Sequence, residues 1–377
     1  MSKLYSIPSC KNFNGYKPCF SDHNCWENGC KENKPIGTKI LIINLDAMGD
    51  VLMTTAQLKS IKKRFPDSSI YWITLKPADQ LLLNNPYIQQ IFRYEFEALA
   101  ILQQIEFDYA YNIDKSQRSA ALLNSVIAKN KLGFGLNADG KIIPLNDGAF
   151  YNYQLGMDNH LKFKVNQRTG QNYLAETLEL EYERNEYVYN FYDEELEFQQ
   201  KYKNEVGLRE NDMVIGFNTG CSNLFPNKKM TIEQHIRLIE QLLNYQKFKI
   251  ILLGGPEDTK RNDEIANKFG NSIINTPTTM GIRRGVCFEN LAEVIITGDS
   301  FGMHIAIALK KYTIAWFGLS CWTEIDLYNR GVKLFPKDLF CSPCWKKACP
   351  YNLECVQQID LKQIEKEVIK YFDAKAK

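Results

Sequence analysis

The 377-residue sequence has no G-x-G-x-x-G turn after its first apolar run, which weighs against a dinucleotide dehydrogenase. No apolar stretch approaches the roughly 20 residues that a membrane helix needs. The first ten residues, MSKLYSIPSC, lack the apolar core of a signal peptide. A dense basic run is missing as well. The 46 basic and 44 acidic side chains leave a net charge of +2, which argues against a protein that coats nucleic acid. These absences point to a cytoplasmic chain with at most peripheral membrane contact. A chain of this length is expected to form two domains and to bury roughly three quarters of its unfolded surface, so it needs no staples to fold.

What the sequence does have is cysteine, eleven in all and unevenly spread. In a reducing compartment, clustered cysteines suggest metal before disulfide. Cys341-x2-Cys344-x4-Cys349-x5-Cys355 places four thiols within fifteen residues. A C-x2-C pair makes a good chelating turn, and four thiolates suit a tetrahedral zinc or iron site. Cys10, Cys19, Cys25 and Cys30 are spaced more loosely, by x8, x5 and x4. They read either as a second metal site, with His23 as an alternative ligand, or as an irregular arm. Unliganded or disulfide-bonded thiols are the competing reading for both sets. A site with all four positions filled would be structural, with none left for substrate. Cys221, Cys287 and Cys321 stand alone and read as small packing residues.

The chain is organised around residues 39–55, KILIINLDAMGDVLMTT. The apolar run 40–43 reads as a buried parallel strand. It breaks into a turn with Asp46, Gly49 and Asp50, and a helix follows that ends before Pro66. Open α/β sheets place their chemistry at such a turn. Gly49 would let backbone approach a ligand, and Asp50 lies at the positive end of the helix dipole, which keeps a carboxylate ionised. Asp50 is then either a base or only a helix cap. Further strands are expected at 69–75 and 108–113, with 80–94 helical or irregular. A helix is expected to follow Asp114 through about residue 128, with Lys115, Ser116 and Arg118 at its start. Those three read either as meeting an anionic acceptor or as solvating a loop.

After a polar, helical stretch at 193–211 the pattern restarts, with strands at 213–217, 249–253, 293–297 and 313–317. Three of these strands end in polar or glycine-rich loops. The first is Asn218-Thr219-Gly220, with Lys228 and Lys229 beyond it. The second is Gly254-Gly255-Pro256-Glu257, and the third is Gly298-Asp299-Ser300-Phe301-Gly302-Met303-His304. Strand ends on one edge of a parallel sheet converge, so these loops should frame one pocket suited to a nucleotide diphosphate. Backbone N–H groups near Ser300 and a lysine would meet phosphate, and Glu257 would accept ribose hydroxyls. Taken singly, each loop also has a plain reading: a turn, a solvated lysine pair, a core histidine, a helix cap.

Residues 48–55 (MGDVLMTT), 224–231 (LFPNKKMT), 254–258 (GGPED) and 297–309 (TGDSFGMHIAIAL) together resemble glycosyltransferase family 9. These are the ADP-heptose transferases of bacterial lipopolysaccharide and, in one branch, of autotransporter proteins. The similarity runs from about residue 39 to residue 360. It implies an α/β GT-B fold with two facing Rossmann-like domains. By residue, the expected division is a cysteine-rich arm at 1–35 and an acceptor domain at 36–205. A nucleotide-sugar domain follows at 206–335, a cysteine finger at 336–358, and a helix crossing back to the first domain at 359–377.

Carried over by position, Asp50 would be the general base. Gly49, Thr219, Gly220, Lys228, Lys229, Gly255, Glu257, Asp299, Ser300, Gly302 and His304 would line the donor site, with Lys229 the favoured phosphate lysine. Where the family commonly reads DSGPMH, this chain has Phe301-Gly302, with its glycine displaced by one. The C-terminal thiols look like the short iron-binding cysteine finger of the autotransporter branch. The resemblance implies an inverting transfer of a sugar, heptose from ADP-heptose favoured, without a catalytic cofactor. The acceptor would be lipopolysaccharide core, another glycan or a protein, and a homo-oligomer stays open. A metal-cluster redox protein and a non-catalytic nucleotide-sugar-binding partner are the alternatives.

Overall fold

Two sets of apolar runs, each Ile- and Leu-rich and bounded by polar turns, form two six-stranded sheets. The computed structural model describes residues 8–19, 25, 30 and 32–375. The first sheet contains β1 (Lys39–Ile43), β2 (Ser69–Thr74), β3 (Ile88–Arg93), β4 (Glu106–Asn112), β5 (Ile127–Leu136) and β6 (Ile142–Pro144). Its order is β3-β2-β1-β4-β5-β6, parallel except for β6, which runs antiparallel to β5 at the edge. The second contains β7 (Met213–Asn218), β8 (Phe248–Leu253), β9 (Ile274–Asn275), β10 (Val294–Gly298), β11 (Tyr312–Trp316) and β12 (Gly331–Leu334). Its order is β12-β11-β10-β7-β8-β9, parallel throughout. Each sheet reverses its winding beside its own first strand, the order of a doubly wound Rossmann sheet. The α/β expectation is borne out.

The chain divides into two compact units, and one boundary bears on function. The first unit comprises Met1–Asp46, Gln57–Tyr153 and Leu174–Asn185; the second comprises Ala47–Ala56, Gln154–Tyr173 and Glu186–Lys377. The short segment that carries Gly49 and Asp50 therefore packs with the second unit, although it directly follows β1. In the first unit, Leu41, Ile43, Phe107 and Leu123 fill one face of the sheet. In the second, Ile215, Phe217, Ile250 and Ile296 pack beneath the helix Ile232–Leu243 and the C-terminal helix Leu361–Lys375, which contributes Ile364, Val368 and Phe372. The opposite face buries Val214, Ile251, Ile295, Phe288 and Ala306. Burial on both faces is why these strands read as unbroken apolar runs.

The structure corrects the expected elements at the sheet margins. Residues 80–94 contain β3, whose exposed Gln89, Gln90 and Arg93 give it no buried-strand signature. The helix expected to reach residue 128 stops at Ser125, and β5 begins at Ile127, with polar Lys129, Asn130 and Lys131 in its first half. Among the described residues, no helix is long and apolar enough to cross a membrane.

Candidate active site

The helix Met48–Thr54 opens on Ala47, whose side chain can cap nothing. The cap comes from inside the helix: Asp50 Oδ2 accepts the Ala47 N–H at 3.3 Å. Asp50 is thus a cap, as the plain reading held, but that bond uses one of its two oxygens. The carboxylate is exposed to solvent. Crowding by surrounding protein nonetheless raises its pKa above the ordinary carboxylate value, with His304 pulling the other way.

Helix Met48–Thr54 packs on the helix Phe301–Ala308 through Gly49. A Cβ at Gly49 would stand 2.5 Å from Cδ2 and 2.9 Å from Nε2 of His304, so this approach requires glycine. His304 is 7% exposed, and burial holds its pKa below the ordinary value despite the opposing charge of Asp50. Tyr187 lies 3.3 Å from His304 Nδ1, with the two rings inclined by 14°. Burial keeps the Tyr187 phenol protonated far above its usual range. The phenol and Nδ1 thus share one hydrogen bond, while the Nε2 edge of the ring faces Gly49.

β10 delivers the other half of the cluster. A Cβ at Gly298 would lie 2.1 Å from the Lys228 carbonyl oxygen, so the strand end runs directly against the Lys228 backbone. That contact brings Lys228 Nζ to 2.6 Å from Asp299 Oδ2, with the two side chains only 14% and 13% exposed. Burial alone would raise the Asp299 pKa, but the Lys228 charge and hydrogen bond outweigh it and hold the carboxyl below its ordinary value. Asp50, His304, Asp299 and Lys228 thus form one electrostatically linked group. Lys228, rather than the favoured Lys229, reaches it.

The remaining donor-loop residues divide. Ser300 is the N-cap of the helix Phe301–Ala308, yet its side chain does not cap; its hydroxyl meets Thr297 Oγ1 at 3.2 Å. The leading amides, at Phe301 and Gly302, are therefore not covered by a capping side chain. Thr219 is fully buried and donates its hydroxyl to Asn262, while Arg261 Nε reaches the Thr219 carbonyl at 2.9 Å. Thr219 serves the loop's architecture. Gly220 packs on the Asp258 carboxylate, which also accepts the Gly255 N–H at 3.0 Å. Glu257 is exposed beside it, and Lys229 lies on the Asp258 and Cys221 side of the loop.

Sequence reasoning missed Tyr187, Asp258, Glu289 and Trp345. Asp258 adjoins a residue that was singled out, and Trp345 sits inside the cysteine finger. The others carry no local signal. Of the acceptor-side candidates, Lys115 donates to Asn152 O and Oδ1 at 2.7 and 2.8 Å, and Arg118 pairs with Asp46. Ser116 caps its helix by accepting the Ser119 N–H. All three are engaged within the first unit.

The cysteines are free thiols. Among the described residues, no three or more His, Cys, Asp or Glu side chains are drawn together as a formed metal site. Cys341, Cys344, Cys349 and Cys355 nevertheless line a single cavity of about 20 Å³, room for one water-sized occupant. Burial, reinforced by the other three thiols, pushes Cys355 up to about 11. In the N-terminal set, Cys10 accepts the Lys34 N–H at 3.4 Å and Cys25 is influenced by Cys19, Cys30 and Cys10; His23 lies outside the described residues.

The sequence profile of glycosyltransferase family 9 (heptosyltransferase) matches residues 99–354. Among curated relatives, lipooligosaccharide heptosyltransferase 2 of Campylobacter jejuni serotype O:2 is 22% identical over 324 residues, 80% of this chain and 88% of that protein. Its serotype O:6 counterpart is 26% identical over 193 residues, 48% of this chain and 58% of that protein. A family 9 glycosyl transferase of Veillonella parvula has a similar structure, with a TM-score of 0.70 and 19% identity, covering 88% of this chain and 96% of that one. E. coli ADP-heptose lipopolysaccharide heptosyltransferase II superposes with a TM-score of 0.67 at 17% identity, covering 90% and 100%. The iron-containing dodecameric glycosyltransferase TibC of enterotoxigenic E. coli gives 0.54 at 11% identity, covering 90% and 77%.

Proposed function

The chain belongs to glycosyltransferase family 9, and from that premise we propose that it transfers heptose from ADP-heptose to a hydroxyl of a lipopolysaccharide or lipooligosaccharide core, with Asp50 as the base. The fold is α/β with two Rossmann-like units, the GT-B type. The observation that carries the proposal is the cluster of Asp50, His304, Asp299 and Lys228 around the start of the helix Phe301–Ala308. The names of the Campylobacter relatives support the acceptor, and the E. coli structure supports the donor.

In this reading Asp50 takes the proton of the acceptor hydroxyl as its oxygen attacks the anomeric carbon. A raised pKa strengthens it as a base. As the sugar–phosphate bond breaks, charge builds on the departing diphosphate. The uncapped amides at Phe301 and Gly302 and the ammonium of Lys228 stabilise that charge, in the manner of an oxyanion hole. Burial lowers the His304 pKa, which disfavours a positive imidazolium beside Asp50. A diphosphate leaves as an anion and needs no second carboxylic acid, unlike the leaving group of most glycosidases. Purified protein offered a panel of nucleotide sugars should release ADP from ADP-heptose in preference to the others. Release from none of them, in the presence of core oligosaccharide, would contradict the proposal.

The four C-terminal thiols are proposed to hold a structural iron or zinc ion. Four soft donors around a cavity with room for one ion fit such a group, and TibC is described as iron-containing. The ion would cross-link the finger and leave no open position for substrate. Elemental analysis of protein purified without chelators reads this out.

A further inference from the structure

Trp345 lies within the cysteine finger, yet its indole ring is in the donor site. Lys228 Nζ stands 4.3 Å from the centroid of that ring and 5.6 Å from the Phe225 ring. Phe225 and Trp345 meet edge to face at 5.1 Å and 79°, so the ammonium sits in an aromatic corner. Lys162 Nζ lies 5.3 Å from the same indole and pairs with Glu324 at 3.5 Å, which in turn accepts the Tyr173 hydroxyl at 3.3 Å.

The backbone is built to keep the ring there. The N–H groups of both Cys344 and Trp345 donate to the Leu319 carbonyl at 2.9 Å, and the Ser342 hydroxyl donates to the Gly318 carbonyl at 2.6 Å. The finger is thus pinned to the loop that follows β11. Trp345 itself adopts a left-handed backbone at φ +52°. For a bulky side chain this conformation is unfavourable, and it persists where surrounding structure dictates it, often at functional sites.

We propose that Trp345 is a positioning residue of the donor site, holding the Lys228 ammonium where it meets the departing diphosphate. The proposal rests on the transferase reading given above. A second carboxylate beside Asp299 could also hold the lysine, but it would cancel the charge that the phosphate needs. An aromatic face attracts the ammonium through its quadrupole and leaves the net charge intact. Asp299 also pairs with Lys228, and the indole face adds attraction without adding further negative charge. The cysteine finger is then a wall of the donor site, and its integrity is read out in donor binding.

The test compares Trp345→Phe, which keeps an aromatic face, with Trp345→Leu, which keeps only apolar bulk. Calorimetry with ADP gives Kd, donor titrations give KM and kcat, and thermal unfolding gives Tm. Trp345→Phe should stay within about threefold of wild type in Kd, and Trp345→Leu should weaken ADP at least about fivefold at a matched Tm. In a Lys228→Met background the leucine substitution should cost nothing further, because the group it positions is gone. Equal losses in the two Trp345 variants, no loss in Trp345→Leu, or the same loss with and without Lys228 would each overturn the proposal. A wild-type protein that neither binds ADP nor releases it from a nucleotide sugar would overturn the transferase reading as well. Wild-type binding with an unaffected Trp345→Leu would overturn the Trp345 role alone.

Discussion

Glu289 is a carboxyl group 2% exposed, receiving the Asn218 amide N–H at 3.1 Å beneath the donor loop. Burial pushes its pKa from 4.5 up to about 8. In the folded protein it is protonated at neutral pH, whereas in the unfolded chain it is ionised. Stability linked to a raised pKa is complete below the unfolded value and is lost as pH rises through the folded one. The window therefore runs from about 4.5 to about 8. His304, whose pKa is lowered from 6.5, contributes with the opposite sign and below the upper part of that window. Wild-type Tm should fall between about pH 6.5 and pH 8, and Glu289→Gln should remove most of that slope. Parallel slopes in the two proteins would show that Glu289 does not set it. At this scale the sequence exposes some residues and hides others. Gly49, Asp50, Asp299 and His304 were legible because each follows a buried strand within a few positions. Asn218 and Glu289 lie 71 residues apart, and Tyr187 and His304 lie 117 apart, so nothing local marks either pair.

Among the elements, strands in the middle of each sheet were legible because both of their faces are buried. β3, β9 and β12 were not, since each lies at a sheet edge and is short or polar. The first half of β5 was hidden by its polar Lys129-Asn130-Lys131, where the strand is partly exposed. The helix Met48–Thr54 was placed correctly after β1, but its packing with the second unit could not be read from order along the chain. Only the fit of Gly49 against His304 shows it. If Cys341, Cys344, Cys349 and Cys355 hold a structural ion, protein purified without chelators should contain about one iron or zinc per chain, and removing the ion should loosen the finger. A content below about 0.2 per chain would contradict a metal at these thiols.

For the whole molecule, the doubly wound order repeated in two sheets explains how a chain with so little charge bias and no dinucleotide fingerprint provides a place for the proposed nucleotide-sugar site. Each sheet places its loops at the carboxyl ends of its strands, and the second sheet's switch point, between β7 and β10, is where Asn218 and Asp299 emerge. The fold class followed from the alternation of apolar runs and helices. The site's chemistry followed only in part, because two facts depend on three-dimensional packing. One is that Lys228 rather than Lys229 reaches Asp299; the other is that an aromatic residue of the finger covers it. Asp50 joins these pieces, capping its helix through one oxygen and, in the proposed reaction, offering the other to the acceptor hydroxyl. The decisive measurement is a paired assay of wild type and Asp50→Asn, reading ADP affinity by calorimetry and heptose transfer by mass spectrometry. The account predicts that the variant binds ADP within about threefold of wild type and transfers at least about 100-fold more slowly. Turnover near the wild-type rate in Asp50→Asn would contradict it.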